Sequence, residues 1–230
     1  MIRQLPLGIS PRESARLSSF HAGDNAQALA AVSACVAGQG EPFVYLWGAA
    51  NTGKSHLLQG ASRLASEQEL AVAYLPLAEY RHFAPEILHD LEAMQLVCLD
   101  DVHRVAGQRA WEQALFHLFN QLRDHGGRLL ASADCSPQNL PVSLPDLGSR
   151  LGWGPVYQLR PLTDQQKIEA LTEHAARRGL DLPADSARYI LHHAVRDMAS
   201  LLRILESLDQ ASLAAQRRLT VPFIKTVLKE

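Results

Sequence analysis

The chain has 230 residues, of which 47% are hydrophobic, so it is long enough to bury one large core or a large and a small one. Its formal net charge is −2, which excludes a general basic field, and direct binding to DNA is therefore not expected. The sequence has no signal peptide, no apolar run of membrane-spanning length and no closely paired cysteines, so we expect a cytoplasmic protein with free thiols.

Residues 1–12 lack helical or strand periodicity and are predicted to form a flexible N-terminal peptide. Over residues 13–160, short apolar runs alternate with helical patterns. The runs cover residues 43–47, 71–75, 96–99, 129–133 and 156–159. Because these runs are too apolar to be exposed on one side, the pattern predicts an α/β fold, with a parallel sheet sandwiched by helices.

Residues 48–55 follow the first apolar run and open a helical pattern, which is the context of a phosphate-binding loop. Glycines let backbone N–H groups wrap phosphates, Lys54 reaches the outer phosphates, and the Ser55 hydroxyl is placed to ligate Mg²⁺. The loop therefore predicts binding of a nucleoside triphosphate or diphosphate. The predicted contacts of the loop are Gly48, Asn51, Thr52, Gly53, Lys54, Ser55 and His56.

Two further apolar runs end in polar residues. Asp100 and Asp101 follow the run 96–99, and an acid at the end of the strand beside a phosphate loop holds magnesium directly or through water. Asp100 is the metal candidate and Asp101 the candidate for orienting the attacking water. The run 129–133 leads to Asp134, and either Asp134 or Ser132 is a candidate sensor of the terminal phosphate. Alternatively, Asp134 caps the turn that follows.

Residues 161–230 change in character and are predicted to form a small, entirely helical domain. Thr163 and Gln166 form a capping-box pattern, and the helix that it opens is expected to run to about Arg178. Further helical patterns cover residues 184–195 and 197–215, with a last one behind Thr220.

The phosphate loop, the acidic strand end, the polar strand end and the helical lid, in that order, resemble an AAA+ ATPase of the bacterial initiator branch. The segment from Phe20 to Asn25 resembles the Phe-x-x-Gly-x-Asn segment that packs near adenine in DnaA. Residues 147–151 resemble its arginine-finger segment, and Arg196 resembles its lid arginine, sensor 2. The resemblance implies that Phe20, Asn25 and Arg196 bind ADP or ATP in this chain, whereas Arg150 is a catalytic arginine acting in trans.

An arginine supplied to a nucleotide held by another subunit stabilises charge on the transferring phosphoryl group. A surface arginine at a helix C-terminus is the alternative interpretation of Arg150. Trp47 and Trp153 are predicted to be core or interface aromatics.

The chain stops at Glu230, where DnaA continues into a basic helix-turn-helix domain, so we expect an initiator-like ATPase without a DNA reader. That organisation, together with Gln4, Leu5 and Leu7, resembles the Hda family of DnaA-related regulatory proteins. The resemblance implies that this peptide docks on the DNA polymerase sliding clamp and that DNA is reached through the clamp. It further implies that DnaA then hydrolyses its ATP, so that replication is not initiated again.

Two other functions stay open at this stage. The chain is alternatively a self-sufficient AAA+ ATPase, either a helicase-loader-like factor or a remodelling motor, or an initiator paralogue that uses no clamp. Because Asp101 is a methylene shorter than the glutamate of many such enzymes, weak turnover by the chain alone is expected. Self-association into a homodimer is left open.

Overall fold

The computed structural model describes residues 15–228. The predicted peptide 1–12, with Gln4, Leu5 and Leu7, lies outside the described residues. The chain divides between Arg160 and Pro161 into two compact units. In the described part, no helix has the length and apolar character needed to cross a membrane.

The first unit is a parallel sheet with helices on both faces, as predicted. Its strands are β1 (Phe43–Trp47), β2 (Val72–Pro76), β3 (Leu96–Asp100), β4 (Arg128–Ala133) and β5 (Val156–Gln158). Its helices are α1 (Ala26–Ala37), α2 (Lys54–Glu67), α3 (Arg109–Asp124) and α4 (Pro145–Leu151).

Alternate side chains of the strands enter two separate hydrophobic cores. In β1, Phe43 and Tyr45 pack in a core that includes residues of α3 and α4. Val44 and Leu46 pack in another core that includes residues of α1 and α2. Because successive side chains of a strand point to opposite faces, an apolar run in this strand fills both cores, which explains why the strand lacks polar alternation.

The strand order is β2-β3-β4-β1-β5, so β4 lies between β1 and β3. The strand that ends in Asp100 is therefore not the hydrogen-bonded neighbour of the strand that leads into the phosphate loop. The sequence gives the order of strands along the chain, whereas pairing is decided by how the crossovers pack. The carboxyl ends of β1, β4 and β3 consequently lie side by side. The end of β4 lies between the phosphate loop, which follows β1, and the two aspartates at the end of β3.

The second unit consists of α5 (Asp164–Arg177), α6 (Ala184–His193), α7 (Met198–Ala215) and α8 (Val221–Leu228). The capping box is present, because Gln166 N–H donates to Thr163 Oγ1 at 3.2 Å and Thr163 N–H donates to Gln166 Oε1 at 2.9 Å. The helix predicted over 184–195 ends earlier, at His193, because the backbone at Ala194 is extended.

Candidate functional site

The phosphate loop leaves β1 at Gly48 and enters α2 at Lys54. Gly48 and Gly53 have φ values of 152° and 98°, which other residues rarely adopt. A Cβ atom on Gly48 would lie 2.5 Å from Leu159 O, and one on Gly53 would lie 2.7 Å from Phe20 Cε2. Asn51 is left-handed at φ 63°, a conformation that asparagine tolerates. The loop thus has the close turns that wrapping a phosphate requires.

Lys54 is buried, and its ammonium donates to Gly48 O at 2.8 Å and to Ala49 O at 2.9 Å. An ammonium has three donor hydrogens, so one is left for an acceptor outside the loop. Burial lowers the pKa of Lys54, while Asp101, Asp100 and Asp134 act in the opposite direction. The sheet edge therefore places a desolvated cation among three acids.

Two predicted loop contacts have different roles. The Thr52 hydroxyl donates to Ala49 O at 2.9 Å, so this side chain holds the loop's shape. Among the described residues, the Ser55 hydroxyl has no hydrogen-bond partner, which leaves it available to a metal or phosphate.

His56, on α2, makes a hydrogen bond to the segment that precedes α1. Its Nε2–H donates to Arg16 O at 3.0 Å, and burial lowers its pKa. The Phe20 ring lies 5.7 Å from the His56 ring, with an interplanar angle of 43°. Phe20 is therefore next to the phosphate loop, and its contact with adenine stays a prediction, whereas the imidazole of His56 serves as a structural contact.

Asn25 is buried, and its side chain makes two hydrogen bonds with the backbone of Arg160, 135 positions later in the chain. Its Nδ2 donates to Arg160 O at 2.9 Å, and its Oδ1 accepts from Arg160 N–H at 2.8 Å. These two bonds favour a positioning role for Asn25 over direct contact between its amide and a ligand.

Asp100 is buried at the end of β3 and accepts hydrogen bonds at both oxygens. Oδ2 accepts from the Tyr74 hydroxyl at 2.8 Å, and Oδ1 accepts from the Ser132 hydroxyl. Ser132 also accepts from Asp101 N–H at 2.9 Å and is fully buried, which favours Asp134 of the two candidate phosphate sensors. A carboxylate has about four acceptor positions, so Asp100 keeps capacity for a metal.

The carboxylates offer a partial set of metal ligands. No cluster of three or more His, Cys, Asp or Glu side chains suited to a metal is found among residues 15–228. Mg²⁺ is usually bound by one or two protein oxygens together with phosphates and waters. The Ser55 hydroxyl and the Asp100 carboxylate fit this type of site, in which the nucleotide supplies further ligands.

Asp101 has a left-handed backbone, with φ 61°. Burial raises its pKa, and the charge of Asp100 acts in the same direction. His103 lies between Asp101 and the exposed Asp134, with Nδ1 3.9 Å from Asp101 Oδ1 and Nε2 3.7 Å from Asp134 Oδ2. Sequence reasoning missed His103; the signal was its position in the loop behind the acidic strand end.

Arg150 lies on α4 at an aromatic surface. Its Cζ atom is 4.8 Å from the centroid of the Trp153 ring, 5.9 Å from that of Phe116 and 6.0 Å from that of Phe119. Trp153 is 58% exposed, so it is not a core residue, and its role at an interface stays a prediction. Trp47 is half-buried against the core of α3 and α4. No local pattern marks the three rings that surround this arginine.

Arg196 belongs to the second unit and precedes α7. It is exposed, and its Nη1 lies 3.5 Å from Asp164 Oδ2. Asp197, the next residue, caps α7 by accepting from Ser200 N–H at 2.9 Å. Hydrogen bonds from Ser200 lower the pKa of Asp197.

The sequence matches two family models in consecutive segments. The model of the bacterial DnaA ATPase domain matches residues 14–158, which is more than half of the chain. The chain belongs to the bacterial DnaA ATPase domain family. The model of the Hda lid domain matches residues 164–228. Together, the two matches confirm the resemblance to the DnaA-related Hda proteins.

Solved structures share the AAA+ fold of this DnaA-family chain. Domain III of the Thermotoga maritima replication initiation protein DnaA has a TM-score of 0.78 at 20% identity, covering 96% of this chain and 98% of that one. AMPPCP-bound DnaA from Aquifex aeolicus has a TM-score of 0.72 at 23% identity, covering 88% and 67%.

A third structure, a DNA replication initiation factor, has a TM-score of 0.70 at 22% identity and covers 87% of this chain. The chain spans 64% of that factor, which is less than two thirds of its length. At these identities, the likeness shows the fold.

Proposed function

We propose that this chain is an Hda-like regulatory AAA+ protein that binds adenine nucleotide with Mg²⁺ and stimulates hydrolysis of ATP held by DnaA. The observation that carries the proposal is the placement of Arg150, whose guanidinium lies on the exposed ring of Trp153. A guanidinium held at an exposed surface is accessible to a nucleotide bound by another molecule. Such an arginine raises rates of phosphoryl transfer by about 10³ to 10⁵.

In this proposal, the chain's own nucleotide is held by the phosphate loop. Backbone N–H groups and Lys54 bind the phosphates, while Ser55 and Asp100 hold the metal. Bound Mg²⁺ supplies charge neutralisation at the phosphates. Asp134 senses the terminal phosphate, and Arg196 contacts the same nucleotide from the lid. ADP is the expected working ligand, and little turnover is expected from the short side chain of Asp101.

The rest of the proposal concerns partners. Residues 1–12 form a clamp-binding peptide, in which Gln4, Leu5 and Leu7 dock on the sliding clamp, ahead of a nucleotide-binding domain over 13–160 and a lid over 161–230. Docking on DNA-loaded clamp brings Arg150 to DnaA in the cytoplasm. DnaA is thereby converted to its ADP form, which prevents a second initiation.

The experiment mixes the protein, clamp-loaded DNA and DnaA bound to labelled ATP, and follows conversion of the label to ADP. We expect conversion only when the protein, the clamp and DNA are all present. Steady ATP turnover by the purified chain alone, without added conversion of DnaA-bound ATP, would overturn the proposal.

The second candidate is a self-sufficient ATPase. The observation in its favour is that Lys54 is close enough to Asp100, Asp101 and Asp134 for their charges to act on its pKa. A lysine on the phosphates and an acid beside the metal are parts that hydrolysis in cis uses. The same experiment separates the two functions, because the motor turns over without DnaA.

A further inference from the structure

Glu112 is an acid in the first turn of α3 whose side chain is fully buried. Its Oε1 accepts from Gly107 N–H at 2.6 Å and from Ser143 N–H at 2.9 Å. Its Oε2 accepts from Ser143 N–H at 3.0 Å and from Leu144 N–H at 2.9 Å. The donors are backbone groups of two loops, one leading into α3 and the other leading into α4.

These bonds make a buried carboxylate tolerable. Burying a charge is expensive unless it is hydrogen-bonded, and bonds to an ionised acceptor are among the stronger ones. The N-terminus of α3 also favours a negative charge in its first turn. A glutamine at position 112 would have a similar shape, but its NH₂ group would replace one of the two acceptor oxygens. That NH₂ donor would then face a backbone N–H donor, and neither would have an acceptor. The site is therefore specific for a carboxylate.

The same bonds fix the start of the helix that carries Arg150. Leu144 occupies the N-cap position of α4 and makes no side-chain cap bond, so Glu112 holds this helix start from outside. Arg150 follows six residues later, which is about 9 Å of α-helix. The helix is also held by Leu147 and Leu151, which are buried in the core.

We propose that Glu112 is a positioning residue for the arginine finger, acting through the backbone of Ser143 and Leu144. This inference rests on the proposed function of Arg150 in trans. Misplacement of a catalytic group by about 1 Å can cost about 100-fold in rate, so a short helix with a released start presents its arginine poorly. Among the described residues, the hydrogen-bond donors of the Glu112 carboxylate are backbone N–H groups of the two loops, so its effect on Arg150 passes through the backbone.

The test replaces Glu112 by glutamine. We expect Glu112→Gln to keep ADP binding and clamp retention, and to lower the maximal rate of DnaA-bound ATP conversion about 10- to 100-fold per folded molecule. The concentration that gives half of this maximal rate should stay near that of the wild type. Amide hydrogen exchange over residues 143–152 should become faster, while that over α2 should not change.

A general loss of stability needs its own control. Val36 is fully buried in α1, in the core on the other face of the sheet. Val36→Ala should lower the melting temperature but should keep the maximal rate per folded molecule. If Glu112→Gln does not fold, Glu112→Asp keeps the charge but shortens the side chain. We expect this variant likewise to have a lower maximal rate with an unchanged concentration at half of that rate.

Wild-type conversion by the folded Glu112→Gln variant would overturn the inference, and so would an equal loss of rate in Val36→Ala. Arg150→Ala is measured alongside. If Arg150→Ala converts DnaA-bound ATP normally, the proposed function fails. Hydrogen exchange over residues 143–152 then still decides whether Glu112 fixes the start of α4.

Discussion

The guanidinium of Arg150 lies 4.8 Å from the centroid of the Trp153 ring, and that ring is 58% exposed. A second cation shares the ring, because Arg123 Cζ lies 5.7 Å from the same centroid. The two arginines differ in their partners, since Arg123 Nη2 also pairs with Asp124 Oδ1 at 2.8 Å. The guanidinium of Arg123 is thus paired with a carboxylate, whereas no ion pair of Arg150 is found among residues 15–228.

Arg150→Ala should lower stimulated conversion of DnaA-bound ATP by about 10³-fold, because the charge that stabilises the transferring phosphoryl group is lost. Binding of ADP and retention on the clamp should not change. Arg150→Lys should restore little, because an ammonium lacks the planar fork that meets phosphate oxygens in pairs. Arg123→Ala is the matched control on the same ring and should convert DnaA-bound ATP like the wild type.

Lys54→Ala should abolish most of the stabilisation that ADP gives to the fold. A ligand at 100 times its dissociation constant stabilises by about 2.7 kcal/mol, and this gain disappears when the ligand no longer binds. The measurement is the melting temperature with and without ADP and Mg²⁺. An ADP-induced shift equal to that of the wild type would show that Lys54 is not a phosphate contact.

Gly53→Ala should destabilise the fold and weaken nucleotide binding, because its Cβ atom would lie 2.7 Å from Phe20 Cε2 at a φ of 98°. The matched control is Gly126→Ala, where φ is 72° and no atom lies within 4 Å of the added Cβ. The left-handed backbone costs both variants about 1–2 kcal/mol. We therefore expect Gly53→Ala to lose more free energy of unfolding than Gly126→Ala, as measured by urea unfolding, because of the contact with Phe20. Equal losses of free energy in the two variants would contradict that contact.

Asp101→Asn should become more stable relative to the wild type as pH rises. Burial raises the pKa of Asp101 in the folded protein, so the folded chain keeps a proton that the unfolded chain has released. The free energy of unfolding of the wild type therefore falls as pH rises through the window between the ordinary and the raised pKa. Asparagine tolerates the left-handed backbone and does not titrate. Urea unfolding near pH 4 and near pH 7 checks the sign, and a difference that shrinks with pH would contradict it.

Replacing Leu5 and Leu7 by alanine should weaken retention on the sliding clamp by roughly 30-fold or more, since truncating a binding anchor costs about 2 kcal/mol. Nucleotide affinity should stay the same, because the phosphate loop is unchanged. Surface-immobilised clamp provides the measurement. Wild-type retention of a chain that begins at Arg12 would show that this peptide is not the clamp contact.

Local signals were strong enough to predict much of the fold. The strand predicted over 43–47 agrees with the structure in both bounds, because its unbroken apolar run fills two cores. Thr163 and Gln166 marked the start of α5 through hydrogen bonds that span only three residues. The phosphate loop was likewise a contiguous pattern with a required backbone geometry.

Relationships between distant segments could not be read from the sequence. The order of β1, β4 and β3 depends on packing of the crossovers. Asn25 and Arg160 bond across 135 positions, and nothing local marks that pair. Glu112 resembles an ordinary solvated acid in a helix, and only the arrival of the loop at Ser143 gives it donors.

The division of β1 between two cores has a consequence for insertions and deletions. Phe43 and Tyr45 belong to one core, and Val44 and Leu46 belong to the other. A one-residue insertion within this strand would exchange the two sets of side chains and would bring an aromatic ring into space shaped for an aliphatic one. Gly48 follows the strand directly, so the register of β1 sets the location of the phosphate loop. We therefore expect a one-residue insertion in β1 to destabilise the fold even though the sequence of the loop is unchanged.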